Sequence, residues 1–349
     1  MDAPARARDD GRDLVTGALG FAGLHLVREL LAAGREVTGL GRQPDGGPAP
    51  AACGGFRLAG PAPGGAGLRY EGPAGAFTYR EGDLADAGAV AAAVAAARPS
   101  CVYHLAAQSS AALSFADPAA TLAANVLGTL RVLEAVRALP EAGRPLVVAV
   151  GSAEEYGPRP AGAPPLAEGE PLEPVSPYAV SKAAATLLCR QYHRAYGIPV
   201  VVARPFAHTG PGQHPRFAFP SFARQIAAAE RGRGPAEIAT GDLSPVRDLL
   251  HVRDVVRAYR ALAARGRPGE VYNVCSGTAL TMADGLRILV SAAAVPVTVR
   301  RDPSRDRPAD TPCLVGDSRK LRADTGWGPE SDAAGALLDL LAEARKEFA

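Results

Sequence analysis

The chain has 349 residues and near-balanced charge, 38 Lys and Arg against 36 Asp and Glu; this suits one large or two fused domains and argues against nucleic acid or an anionic membrane as partner. Cysteines at 53, 101, 189, 275 and 313 show no paired metal-ligand spacing, so a reduced cytoplasmic protein with no metal centre is expected. No stretch reads as an apolar run of transmembrane length, and the charged first dozen residues lack a signal-peptide core.

Residues 1–12 read as a flexible leader. Asp13-Leu14-Val15-Thr16 is a short apolar strand that runs into Gly17-Ala18-Leu19-Gly20-Phe21-Ala22-Gly23, and helical periodicity follows from Leu24 to Ala33. Glycines at 17, 20 and 23, between a strand and a helix, meet the needs of a dinucleotide: a tight turn, close approach of a pyrophosphate to the backbone, and close packing of helix on strand. Glu36 to Arg42 is the second strand. A carboxylate at its end would hold the ribose 2′-hydroxyl of NAD; this chain has Gly41 and then Arg42, which favours the 2′-phosphate of NADP(H), with NAD(H) as the alternative. The other reading of Arg42 is a solvated strand-end arginine.

Residues 43–76 are dominated by Gly, Pro and Ala and read as a flexible insertion with a short ordered piece around Phe56 to Leu58. Strands follow at Val102–Leu105, Leu146–Val150 and Val200–Ala203, separated by helices over Ala119–Leu139 and Pro177–Tyr196, the latter ended by Gly197 and Pro199. This alternation predicts an α/β fold, a doubly wound parallel sheet over 13–203 with a cofactor at the strands' carboxyl ends. Residues 204–349 read mainly as a smaller substrate-binding lobe, with helices over Phe217–Ala229, Arg253–Ala264 and Asp332–Glu347.

Within the helix over 177–196, Tyr178 and Lys182 lie one turn apart on the same face. A cation beside a phenol favours phenolate, so the pair is expected to pull the tyrosine pKa down from about 10, fitting Tyr178 for acid–base work. Lys182 stands out further because Lys320 and Lys346 are the only other lysines. By itself the pair also reads as a solvated helix face.

Taken together, Gly17-x-x-Gly20-x-x-Gly23, Tyr178-x-x-x-Lys182 and the upstream Ser152 resemble the extended short-chain dehydrogenase/reductases that act on nucleotide-sugars. Gly82-Asp83-Leu84, His104-Leu105-Ala106-Ala107-Gln108 and Asn125-Val126-Leu127-Gly128-Thr129 fit the same family. Gly151 to Gly157, Arg204 to Gln213, Val246 to Val256, Val271 to Gly277 and Arg305 to Asp310 are similar to the branch of GDP-4-keto-6-deoxy-mannose reductases and GDP-mannose 4,6-dehydratases, with the reductase side favoured.

The resemblance implies cofactor contacts from Gly17, Gly20, Phe21, Gly23, Arg42, Asp83, Leu84, Leu105, Ala106 and Ala107, together with Tyr178 and Lys182. It implies Ser152, Tyr178, Lys182 and Glu154 as catalytic residues, and a GDP-linked nucleotide-sugar held by Gln108, Glu154, His208, Arg224, Arg247 and Arg307. Guanidinium forks suit a diphosphate, although each arginine also reads as a surface ion-pair residue. Ser152 has a second reading as a loop-capping serine, Glu155 reads as solvated or structural, and His208 and His251 as satisfied hydrogen-bonding histidines.

Glu154 fits a dehydratase, which needs a carboxylate to eliminate water, and is also compatible with a reductase; an epimerase is a further sibling. A non-catalytic dinucleotide-binding module is the reading from a different class. The family has asparagine where this chain has Ala207. Relatives pair through the Tyr-Lys helix and the helix before it, which implies a homodimer or homotetramer. Leu130, Leu187, Leu188 and Tyr192 are candidates either for that contact or for core.

Overall fold

The computed structural model describes residues 10–42, 55–65, 67–160, 162–306 and 311–348. Residues 1–9 of the expected leader, Cys53 and Arg307 lie outside them. Strands β1 (Arg12–Thr16), β2 (Glu36–Gly41), β3 (Arg57–Pro61), β4 (Leu68–Gly72), β5 (Gly75–Glu81), β6 (Cys101–His104), β7 (Leu146–Val150) and β8 (Val200–Pro205) join the strand Val271–Val274 in one nine-stranded sheet. From the Val271–Val274 edge the order is β8, β7, β6, β1, β2, β5, β4, β3. Every pairing up to β2–β5 is parallel, and β5–β4 and β4–β3 are antiparallel. The doubly wound parallel sheet is therefore present. Its order reverses beside β1, which opens a crevice at the strands' carboxyl ends.

The apolar strands are buried because helices cover both faces. Phe21–Ala32 and Val252–Arg265 pack over one side, where Val15, Leu26, Val255, Tyr259 and Leu262 share a core. Ala87–Ala97, the helical run 118–137 and Pro177–Tyr196 cover the other, around Leu14, Val102, Leu133, Val147 and Tyr192. The helix Pro177–Tyr196 starts where predicted, because the Ser176 hydroxyl accepts from Ala179 N–H (3.1 Å) with Pro177 in the first turn. It ends at Gly197, whose φ of +66° lies in the left-handed region.

A third core, around Phe219, Phe222, Ile226, Leu249, Leu286, Leu337 and Leu341, holds the helices Ala218–Glu230, Met282–Ser291 and Ala333–Lys346 together. Short strands at Ala207–Thr209, Val246–His251, Ala279–Thr281 and Cys313–Leu314 connect it to the large sheet's edge.

Two expectations are corrected. The insertion over 43–76 is not flexible throughout: β3 and β4 extend the sheet as an antiparallel ribbon. Tyr70 stands opposite Phe77 in register and stacks on it at 5.3 Å, Phe56 meets Phe77 edge-on at 5.3 Å, and Tyr79 packs against Tyr70. Cross-strand aromatic pairs of this kind supply the burial that the glycine-rich composition conceals. Second, Pro118–Arg137 is by length and composition apolar enough to cross a membrane. Its Val132, Leu133 and Val136 are buried in the core, while Leu122 and Leu127 face outward.

Candidate active site

At the end of β1 the chain turns through Gly17, at φ +72°, into the helix Phe21–Ala32. A Cβ on Gly17 would stand 2.9 Å from the Ala106 nitrogen, and one on Gly23 only 2.1 Å from the Gly17 carbonyl oxygen. Both positions therefore require glycine, one for its turn and its close approach to the loop after β6, the other for helix–strand packing. Gly20 precedes the helix with no side-chain cap, and the first turn carries no acidic residue. The helix N-terminus thus keeps N–H groups for an anion. This cradle fits the pyrophosphate of a dinucleotide.

Leu105 and Ala106 lie against it, with Ala107 following them in the same loop. Ala106 N–H donates to the Thr16 hydroxyl (3.2 Å), and the buried His104 ring bridges Thr16 Oγ1 (2.8 Å) and Thr129 Oγ1 (3.0 Å). Burial, then the Lys182 charge, pulls the His104 pKa down to about 3, so the ring is neutral. Arg42 is exposed at the end of β2, its carbonyl accepting from the Tyr79 hydroxyl (2.8 Å). Asp83 is exposed beyond β5 and accepts from Ala85 N–H. Leu84 is a core side chain whose carbonyl accepts from Arg131 Nη1 (2.9 Å).

Ser152 follows β7, and the helix Pro177–Tyr196 brings Tyr178 and Lys182 beside it. Ser152 and the Tyr178 phenol are both buried, and the Ser152 hydroxyl, which accepts from the Glu154 N–H (3.2 Å), is a polar group close to the phenol. Here the sequence expectation is corrected: the phenol pKa is raised, first by burial and then by the charge of Glu154, with the Ser152 hydroxyl working in the opposite direction. Lys182 is not among the charges that shift the phenol; its Nζ donates to the Val150 carbonyl (2.8 Å). Burial pulls its own pKa down to about 8, against the charge of Glu155. Tyr178 is held as a neutral phenol, the form that donates a proton. Glu154 is half-buried next to it.

Two residues of the site had no role assigned from sequence. Glu155, which read as solvated or structural, is fully buried, bonded to the Ser152 N–H and paired with Arg204. Asn125 sits in a π-helical turn, Ala123–Leu127, within the run 118–137. Its side chain accepts from Gln108 N–H (2.8 Å) and donates to the Gln108 carbonyl (3.0 Å) and Ser181 Oγ (2.8 Å), tying the loop after β6 to the Tyr-Lys helix. The sequence signal was its place in the family-like stretch Asn125-Val126-Leu127-Gly128-Thr129.

The substrate candidates divide. His208 stacks on Phe21 at 6.0 Å, so the 204–213 segment meets the glycine loop directly, and His25 Nε2 bonds the Pro211 carbonyl (2.9 Å). The Nδ1 atom of His208 bonds the Phe206 carbonyl (3.0 Å); His251 caps its helix through Arg253 N–H and meets Asp339. Both are satisfied histidines, as expected. Gln108 spends its amide N–H on the Ser110 carbonyl and Thr121 Oγ1, so it shapes the loop. Arg247 Nη1 donates to the carbonyls of Val246 (2.9 Å) and Thr311 (2.7 Å). Arg224 is exposed and meets Glu347 (3.3 Å) and the Phe348 ring rather than the triad, the surface-pair reading of that residue.

The family model for GDP-mannose 4,6 dehydratase matches residues 65–337. The chain belongs to this family. Members similar to it differ in activity within the GDP-mannose 4,6-dehydratase family and its neighbours. The GDP-6-deoxy-D-mannose reductase of Pseudomonas aeruginosa is 40% identical over 245 residues, 70% of this chain and 80% of its own. The dTDP-glucose 4,6-dehydratase of Streptomyces antibioticus is 36% identical over 327 residues, 92% and 88% of the two chains. Among solved structures, RMD from Pseudomonas aeruginosa complexed with NADPH has a TM-score of 0.78 at 31% identity, covering 96% of this chain and 99% of that one. Thermus thermophilus UDP-glucose 4-epimerase in complex with NAD has a TM-score of 0.80 at 30% identity, with the same coverage. The protein is an enzyme of the extended short-chain dehydrogenase/reductase type.

Proposed function

We propose that this enzyme reduces a nucleotide-bound 4-keto-6-deoxy-hexose, GDP-linked, with NADP(H) as the preferred cofactor and NAD(H) as an acceptable one. The observation that carries the reading is the placing together of Ser152, the buried neutral Tyr178 phenol and Lys182 where β7 ends, the Lys182 Nζ donating to the Val150 carbonyl (2.8 Å), in the same sheet as the glycine cradle. The glycine loop and the helix N-terminus would hold the pyrophosphate, and Arg42 the 2′-phosphate. The bound dinucleotide would supply hydride to C4. Tyr178 then gives its proton to the C4 oxygen, and Ser152 donates a hydrogen bond that polarises the same oxygen. Lys182, fixed by the Val150 carbonyl, holds the nicotinamide ribose hydroxyls. Arg247 and Arg307 are proposed for the substrate diphosphate.

The relative at 40% identity is a reductase, which supports this choice. One observation favours a dehydratase instead: Glu154 stands close enough to Tyr178 to raise its pKa, where a carboxylate would serve elimination. An assay separates the two. Supplied with GDP-4-keto-6-deoxy-mannose, the enzyme is expected to oxidise NADPH and give a GDP-6-deoxyhexose, identified by NMR. Conversion of GDP-mannose to the 4-keto sugar without net cofactor turnover would instead assign it as a dehydratase and give Glu154 its role.

We also propose that the chain forms a homodimer. The helices before and within the site leave Leu113, Phe115, Leu122, Leu127, Val180 and Leu187 exposed, an apolar face suited to a second copy.

A further inference from the structure

Glu155 has no part in the chemistry just proposed, yet it supports the reacting groups from behind. Its Oε1 accepts from the Ser152 N–H (2.8 Å) and from Thr186 Oγ1 (3.1 Å), and its Oε2 accepts from Arg204 Nε (3.1 Å) and Nη2 (2.8 Å). Both partners of this ion pair are almost completely buried, an arrangement whose desolvation cost is offset only when the geometry is good. Arg204 lies over the Tyr156 ring at 4.5 Å, and the Tyr156 hydroxyl donates to Asn273 Oδ1 (2.8 Å). The carboxylate is thus clamped by β8, by the Tyr-Lys helix and by its own turn. Gly151 leaves room for it, since a Cβ there would stand 2.4 Å from Glu155 Oε1.

The carboxylate also lies near Lys182: it accepts from Thr186, one turn further along the same helix, and from the Ser152 N–H, two residues after the Val150 carbonyl to which the Lys182 Nζ donates, and its charge there opposes the effect of burial. Cys189, from the same helix, and His104, from β6, also face that ammonium. Burial keeps the thiol protonated, its pKa raised to about 12, and the imidazole neutral. Facing Glu155 are Arg204, Tyr156, Tyr178, Lys182 and Cys189. Glu155 is therefore the negative charge that offsets the ammonium.

We propose that Glu155 is a positioning residue with two effects: it fixes the Ser152 backbone so that the hydroxyl meets Tyr178, and it holds Lys182 in its charged form. The proposal rests on Ser152, Tyr178 and Lys182 being the reacting site, but its first readout needs no substrate. With only three lysines in the chain, 15Nζ signals of lysine-labelled protein resolve Lys182, assigned by its loss in Lys182→Met. In Glu155→Gln its titration midpoint moves to lower pH by a unit or more. The alkaline limb of kcat/KM moves with it, and kcat falls by about 10²-fold as Ser152 loses its register. Because Glu155→Gln leaves Arg204 uncompensated, Glu155→Gln/Arg204→Met serves as the second variant, removing both charges at similar volume; its Lys182 midpoint is expected to move in the same direction but by less, since the lost Arg204 cation works the other way. An unmoved Lys182 midpoint in a variant shown to be folded by circular dichroism overturns the proposal. So does failure of both variants to fold, which would make the pair a folding element. Turnover failing on the sugar while Lys182 shifts as expected would count against the substrate assignment alone.

Discussion

Tyr178 shows how a single residue's chemistry depends on what surrounds it. The four-residue spacing to Lys182 was legible in the sequence, but the consequence drawn from it was not, because burial and then the Glu154 charge govern the phenol. A neutral, buried phenol near Ser152 suits proton donation. Tyr178→Phe is expected to lower kcat by about 10²–10⁴-fold with an unchanged melting temperature; near wild-type turnover would remove Tyr178 from the mechanism. Lys182 carries a pKa lowered to about 8 by burial. Its charge is present below that value and lost above it, so activity that depends on the ammonium should fall as pH rises through about 8. A flat kcat/KM between pH 7 and 9.5 would contradict that.

Among the elements, the glycine loop was the most readable, since strand, three glycines and helix follow one another without interruption. The close approach of Gly23 to Gly17 makes a sharp prediction: Gly23→Ala should cost at least about 1–3 kcal/mol in denaturant unfolding and weaken NADPH binding. Retained stability and affinity would mean that the helix tolerates a shift. The β3–β4 ribbon was the least readable element. Its signal lies in Phe56 and Tyr70, dispersed among glycine, proline and alanine, which pack on Phe77 and Tyr79 at alternating positions of β5. Composition also left Leu130, Leu187, Leu188 and Tyr192 ambiguous between core and contact. Tyr192 is buried and bonds Glu134, Leu188 packs on the core, and Leu187 is 56% exposed. Leu122→Glu/Leu187→Glu is accordingly expected to give a monomer by light scattering, with an unchanged far-ultraviolet spectrum. A persisting dimer would place the interface elsewhere.

For the whole molecule, strand–helix alternation was enough to recover the parallel sheet, whereas contacts between the chain's two halves were not legible. Phe21 on His208 and His25 on Pro211 link segments about 186 residues apart. Such contacts have consequences for pH stability. Burial lowers the pKa of His25 to about 4 and of His104 to about 3, both below the ordinary value of 6.5. The unfolded chain therefore binds more protons in this window. Stability should be full above pH 6.5 and fall as pH drops towards 4, as a decreasing denaturant midpoint. An unchanged midpoint from pH 7 to 4.5 would show that both rings are protonated in the fold.

The central claim, hydride delivery to a sugar C4 by this crevice, is tested most directly with NADPH deuterated at the nicotinamide C4 and GDP-4-keto-6-deoxy-mannose as substrate. The account predicts a GDP-6-deoxyhexose carrying deuterium at C4 of the sugar, absent with Tyr178→Phe. Product without deuterium at C4, or no oxidation of the cofactor while GDP-mannose is dehydrated, would contradict it.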